Sequence, residues 1–173
     1  MEADILLWIQ KYIRHSGLSP VIEAITHLGD FGFFWILMMI VLMLYQKTRR
    51  AGIAVGIALL GSFVFNNLLL KNLVARTRPY EVIDGLQLLV GKAVDLSFPS
   101  GHSASSFAAA AVIAKMLPKR YGIAAIILAG MIALSRLYVG IHYPTDVLFG
   151  TVSGGLIGLL VAKLYGNEFS NTL

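Results

Sequence analysis

The 173-residue sequence is 57% hydrophobic and 13% charged, with a net charge of +5, and its mean hydropathy is +0.77. A soluble domain carries about 25% charged residues, so composition excludes an ordinary soluble globular protein and places the chain in a bilayer. With no cysteine, a disulfide framework, a thiolate nucleophile and a cysteine-bound metal are excluded as well.

The first element is the segment from Met1 to Lys11, whose acids come first and which lacks the basic start, long apolar middle and small-residue cleavage site of a signal peptide. It is expected to be a short amphipathic helix lying on the membrane interface, with Ile5, Leu6, Trp8, Ile9 and Ile13 towards lipid. Uncharged runs then cover residues 31–46, 51–70, 96–114, 121–135 and 147–162. At about 1.5 Å per helical residue these span roughly 22–30 Å, against a hydrocarbon core of about 30 Å, with extra turns completing the shorter ones. Turn residues separate them at Ser16-Gly17 with Ser19-Pro20, at 46–50, from Thr77 to Asp95, at Pro118 to Arg120 and from Gly140 to Pro144. The expected fold is all-α: one domain over residues 1–173, an integral membrane bundle of about five transmembrane helices plus the interfacial helix. Gly150, Gly154, Gly155 and Gly158 in the last helix suit close helix packing rather than a nucleotide loop. Asn66 and Asn67 are expected to hydrogen-bond between helices. The polar tail after Lys163, ending at Glu168 to Leu173, is assigned no function.

Threading the chain through five spans puts residues 1–30, 71–95 and 136–146 on one side and 46–50, 115–120 and 163–173 on the other. Lys and Arg divide seven to seven between the sides and acids eight to one. Three cations of the first side belong to the candidate site below, so four free cations face seven. That bias places the Arg49-Arg50 and Lys119-Arg120 loops in the cytoplasm and the site outside. The overall positive charge follows from this asymmetry, and no nucleic-acid partner is needed to explain it.

Three segments on the outward side carry the ionisable chemistry: Lys71 to Pro79, Pro99-Ser100-Gly101-His102, and Ser135-Arg136 through His142 to Asp146. Ionisable groups at the rim of a membrane bundle mark function by default. Lys71 and Arg78 are seven apart, so a helix continuing to Pro79 would put both on one face, within reach of one anion. Arg76 falls off that stripe and reads as an interfacial or head-group cation. Pro79 is expected to end the helix. Ser100 suits the N-cap of the following helix, either as an ordinary cap or with the Gly101 and His102 amides turned towards an anion. Pro144 suits the first turn of the last helix. Asp146, one turn beyond His142, could accept one imidazole N–H and leave the other nitrogen nucleophilic. Taken singly, these residues would equally suit a capping Asp and an interfacial His. Glu23, His27 and Asp30 read as interfacial groups or as the lining of a lipid entrance. Glu81, Asp84, Lys92 and Asp95 lie in a long connection that reads as a substrate-contact lid or as solvated sequence.

Together these residues resemble the three-part signature of the type 2 phosphatidic acid phosphatase superfamily: Lys, six residues, Arg-Pro; Pro-Ser-Gly-His; and Ser-Arg, five residues, His, three residues, Asp. The resemblance covers roughly residues 50–165, and every spacing matches. It implies a helical membrane phosphatase that works without a metal or other cofactor through a phosphohistidine. His142 corresponds to the nucleophile, Asp146 to its orienting partner, and His102 to the acid that protonates the leaving group and then activates water. Lys71, Arg78, Ser100, Gly101 and Arg136 correspond to the phosphate-binding set. The implied substrate is a lipid phosphate or pyrophosphate at the outer face of a bacterial-type cytoplasmic membrane. Undecaprenyl or another polyprenyl pyrophosphate stands first, with phosphatidic acid or phosphatidylglycerol phosphate next. Vanadate-dependent halide oxidation shares the signature but is usually met in soluble proteins. A non-catalytic lipid-binding or transport protein would need neither a nucleophile nor an acid.

Overall fold

The computed structural model describes residues 1–167, and no strand occurs among them. The tail from Glu168 to Leu173 lies outside the described residues. α1 (Glu2–Trp8) continues into π-turns at Ile9–Ile13. α2 (Ser19–His27) and α3 (Phe33–Leu44) follow, and then α4 (Arg49–Ser62), which runs through π-turns at Phe63–Leu70 into α5 (Lys71–Val74). α6 (Pro79–Val82) is a single turn, and α7 (Gly101–Met116), α8 (Lys119–Tyr138) and α9 (Pro144–Asn167) complete the order.

By length and apolarity, residues Arg49–Val82, Lys119–Tyr138 and Pro144–Tyr165 can each cross a bilayer. The α2–α3 pair, bent by 48°, makes a fourth span when taken as one. The uncharged run at 96–114 becomes α7, only 16 residues long, or about 24 Å. It lies at the centre of the bundle, with Ala104, Ala108, Ala109, Ala110 and Val112 fully buried. Trp35 of α3 donates its indole N–H to Ser106 Oγ of α7 at 2.9 Å, giving this buried donor the partner it requires. Leu60, Leu134, Leu156 and Leu160 are exposed, as lipid-facing side chains are.

Small residues let α7 and α9 approach closely. A Cβ added at Gly150, Gly154 or Gly158 would lie 2.6, 2.1 or 2.3 Å from the carbonyl oxygens of Ser100, Ala104 and Ala108 respectively. The two helices therefore run in step, four residues at a time. Gly155 faces open space, so it is not part of that stripe. Gly154→Leu should force α9 off α7 and cost about 2 kcal/mol or more, read as a lower Tm in detergent. Gly155→Leu should leave Tm unchanged.

Two expectations for the chain's first half need correction. Leu6 is buried against Leu86 and Tyr143, and Ile9 packs beside Tyr138 and Val139. Only Ile5, Trp8 and Ile13 of the expected lipid-facing set are exposed, so α1 is half built into the protein. The helix carrying Lys71 also stops at Val74, because Ala75 takes a left-handed conformation (φ 49°) that closes the turn with Ala75 N donating to Lys71 O. Pro79 opens the next turn instead of ending the previous one. Asn66 behaves as expected between helices, accepting from Ser153 Oγ of α9 at 2.7 Å. Asn67 instead lies with its amide against Gly101.

Candidate active site

The signature residues converge at one end of the bundle. After α8 the chain turns at Gly140, whose φ of +79° favours glycine and where a Cβ would meet the Arg14 guanidinium at 2.9 Å. This turn delivers His142, 2% exposed, into the protein. Arg78 Nη1 donates to the Ile141 carbonyl at 3.0 Å and lies 3.1 Å from His142 Nε2. A guanidinium can only donate, so Nε2 is the acceptor and the ring proton sits on Nδ1. Burial, and then the charges of Arg78, Arg136 and Lys71, hold the His142 imidazole well below its usual range, so the ring is neutral. What results is a buried imidazole with its Nε2 lone pair among cations.

Asp146 is fully buried at the first turn of α9, which Pro144 opens as expected. Its Oδ2 accepts from Ser97 Oγ and from the Tyr143 amide at 3.0 Å, and its Oδ1 accepts from Arg76 Nη1 at 2.7 Å. His142 Nδ1 stands 3.5 Å from Oδ2 and has no hydrogen-bond partner. The expected imidazole–carboxylate hydrogen bond is thus a charge facing an N–H just beyond bonding distance, because two other donors already occupy that oxygen.

Lys71, Arg78 and Arg136 are each about 5% exposed. Lys71 and Arg78 reach one anion without a shared helix face: both bind the carboxylate of Asp95, Lys71 to Oδ2 and Arg78 to Oδ1. Burial alone would raise the Asp95 carboxyl, but Lys71 and Arg78 outweigh it and hold the group below the usual carboxylate range. A carboxylate gripped by two buried cations occupies a seat suited to an oxyanion. Arg136 donates Nη1 to Thr26 Oγ1 at 2.6 Å, while its buried Nε has no partner.

Ser100 caps α7 as expected, its Oγ accepting from Ser103 N at 3.4 Å and Ser103 Oγ at 3.0 Å. Ser100 N donates to the Asp146 carbonyl at 3.0 Å, which ties the starts of α7 and α9 together. Gly101 sits at the same helix start, where a Cβ would lie 3.0 Å from the Asn67 amide nitrogen. His102 Nε2 donates to Asp30 Oδ1 at 2.9 Å, and His27 Nδ1 donates to the other oxygen at 2.7 Å.

Four acidic or basic groups that the spacing did not single out therefore belong to the site. Asp30 and His27, read as interfacial or entrance groups, join His102. Asp95 joins Lys71 and Arg78. Arg76 is no free head-group cation: it bonds Asp146, Glu2 and Thr145 Oγ1 and lies 3.7 Å over the Tyr143 ring. Glu2 in turn accepts from the amide and hydroxyl of Thr145, so α1 braces the first turn of α9. A sequence signal existed for Asp95, an acid five residues before Ser100. For Glu2 there was none.

A sequence model of the PAP2 superfamily matches residues 50–170. The chain is 30% identical over 156 residues to the undecaprenyl-diphosphatase of Sulfolobus acidocaldarius, covering 89% of this chain and 75% of that protein. It is 37% identical over 154 residues to the decaprenylphosphoryl-5-phosphoribose phosphatase of Mycolicibacterium smegmatis, covering 86% and 81%. Among solved structures, that of a transmembrane PAP2-type phosphatidylglycerolphosphate phosphatase from Bacillus subtilis aligns with a TM-score of 0.78 at 30% identity, covering 96% of this chain and 85% of that one.

Proposed function

Because the chain belongs to the PAP2 superfamily, as an integral membrane hydrolase of lipid phosphates, we propose that it cleaves a polyprenyl pyrophosphate through a phosphohistidine on His142. The observation that carries this reading is the neutral, buried His142, whose Nε2 lone pair lies beside Arg78 with Arg136 and Lys71 acting on the same ring. Nε2 attacks the terminal phosphorus, and the bond to the bridging oxygen breaks. Arg78, Lys71 and Arg136 hold the three non-bridging oxygens, so that charge developing on the transferring group meets fixed cations. The Gly101 amide, at the start of α7, adds a donor.

His102 protonates the departing oxygen, giving polyprenyl phosphate, and then takes a proton from the water that hydrolyses the phosphohistidine to inorganic phosphate. Asp146 faces the Nδ1 side of His142 and stabilises positive charge on the ring as the new P–N bond forms. No step calls for a divalent ion, since three cations provide the clamp.

The undecaprenyl-diphosphatase name of one relative and the cation bias between loops support a polyprenyl pyrophosphate taken at the outer face of a bacterial-type cytoplasmic membrane. A second reading, phosphatidylglycerol phosphate or phosphatidic acid, is favoured by the likeness to the Bacillus phosphatase. Purified protein in detergent with a chelator should release phosphate from all three lipids, with the highest kcat/KM on polyprenyl pyrophosphate. A higher kcat/KM on a glycerophospholipid overturns the substrate. Release only after a divalent ion is added overturns the mechanism.

A further inference from the structure

The break between α2 and α3 has no evident role in crossing a membrane, yet the fold commits unusual backbone to it. Phe31 takes φ +52° and Gly32 φ +68°, both left-handed, and Phe31 is 99% exposed. Gly32 N donates to Gly29 O at 3.0 Å across this turn, and non-glycine residues in that region cluster at functional sites. Gly29 accepts no side chain, since a Cβ would lie 2.5 Å from His102 Cδ2 and 2.9 Å from Ile132 Cγ2. Between these residues Asp30 is presented to α7, with one carboxylate oxygen on His102 and the other on His27.

We propose that Asp30 is the positioning residue of His102: it holds the Nε2 proton, leaves Nδ1 as the nitrogen that exchanges a proton with the leaving oxygen and with water, and stabilises the imidazolium. This rests on the reading of His102 as the acid and base. A carboxylate that accepts one ring N–H fixes the tautomer and sets which nitrogen does the chemistry. His27 fixes the carboxylate from its outer side. The charged groups acting on His102 are Asp30 from the break, Arg136 from α8, and Arg78 from the connection before α6, with His142 as its neighbour across the site. Of these Asp30 is the anion. Without it, burial and then two guanidinium groups would act on the imidazolium unopposed, and the acid form would be lost at a lower pH.

Asp30→Asn is the test, in detergent with a lipid phosphate. We expect kcat to fall about 10²- to 10³-fold with KM nearly constant, and the basic limb of the kcat profile to move to lower pH. With p-nitrophenyl phosphate, whose leaving phenolate needs no proton, the pre-steady-state burst should keep its rate. A defect that is merely structural would slow the burst as much as lipid turnover, and that result overturns the proposal, as does an unchanged pH profile. His102→Ala separates the two layers: if it retains turnover, the reading of His102 itself fails. If it is inactive while Asp30→Asn behaves as wild type, only the present inference fails. Should Asp30→Asn not fold, the ¹⁵N shifts of His102 in the unmodified protein, assigned by difference from His102→Ala, decide the matter. The proposal requires Nε2–H, and an Nδ1–H tautomer overturns it.

Discussion

His142→Ala is expected to lower kcat/KM for the preferred lipid phosphate by about 10⁵-fold or more, the scale seen when a nucleophile that acts as part of a unit is removed. Folding should persist at a lower Tm: Arg78 Nη1 loses one acceptor but keeps the Ile141 carbonyl, and the Nδ1–H that is removed had no partner. Phosphate release with a chelator present, together with Tm, reads both outcomes. Turnover retained within a hundredfold would mean that another group attacks phosphorus. The pH profile adds a signed check. Since burial and three nearby cations hold the ring well below its usual range, the imidazole stays neutral as pH falls through about 6.5, where a free histidine titrates. His142 should therefore contribute no acid limb there. Its stability contribution has a sign as well. The unfolded chain takes up a proton near 6.5 that the folded chain does not, so stability is lost as pH falls from there towards the depressed folded value.

Much of the site was legible because its parts are side chains at helix ends, where spacing and turn chemistry locate them. Pro144, Ser100 and Gly140 mark two helix starts and a turn, and the folded chain uses them so. What spacing could not give is the carboxylate assigned to each cation or histidine. Asp30 reaches His102 across 72 residues and Arg76 reaches Asp146 across 70. Each contact depends on a local departure from helix, at Phe31 and at Ala75. Periodicity assumes that helix continues, so it put Arg76 off the active face, while Asp30, at the start of a span, read as an interfacial or entrance group. The same limit explains Leu6: an amphipathic pattern reports one apolar stripe, and both lipid and the 83–90 connection can cover it.

The site then has a symmetry of design that the signature alone does not contain. Each histidine faces a carboxylate that is itself fixed by a second partner. His142 faces Asp146, which is held by Arg76, and Arg76 is held by Glu2. His102 faces Asp30, which is held by His27. Asp95, by contrast, pairs with Lys71 and Arg78, and under the proposed function an incoming phosphate would have to take its place there.

Asp146→Asn tests the inner of these carboxylates and is expected to lower kcat by about 10³- to 10⁴-fold with a small change in KM, as when the acid behind a catalytic histidine loses its charge. The reason is not a lost hydrogen bond to His142, since 3.5 Å separates the two groups. It is the loss of negative charge facing a ring that, in the proposed mechanism, becomes cationic as the P–N bond forms. The amide also fails as a replacement partner. Asp146 accepts from Arg76, Ser97 and the Tyr143 amide, and an asparagine NH₂ must confront at least one of these donors with another donor. Arg76 is partly exposed and keeps Glu2 and Thr145, so Tm should fall, by less than the about 3–5 kcal/mol of a fully buried pair. Glu2→Gln provides the control. It loosens Arg76 from outside while leaving Asp146 charged, and should cost only a few-fold in kcat. If Asp146→Asn lowers Tm but keeps kcat within tenfold, Asp146 is a tie between helix starts and has no electrostatic part in the chemistry.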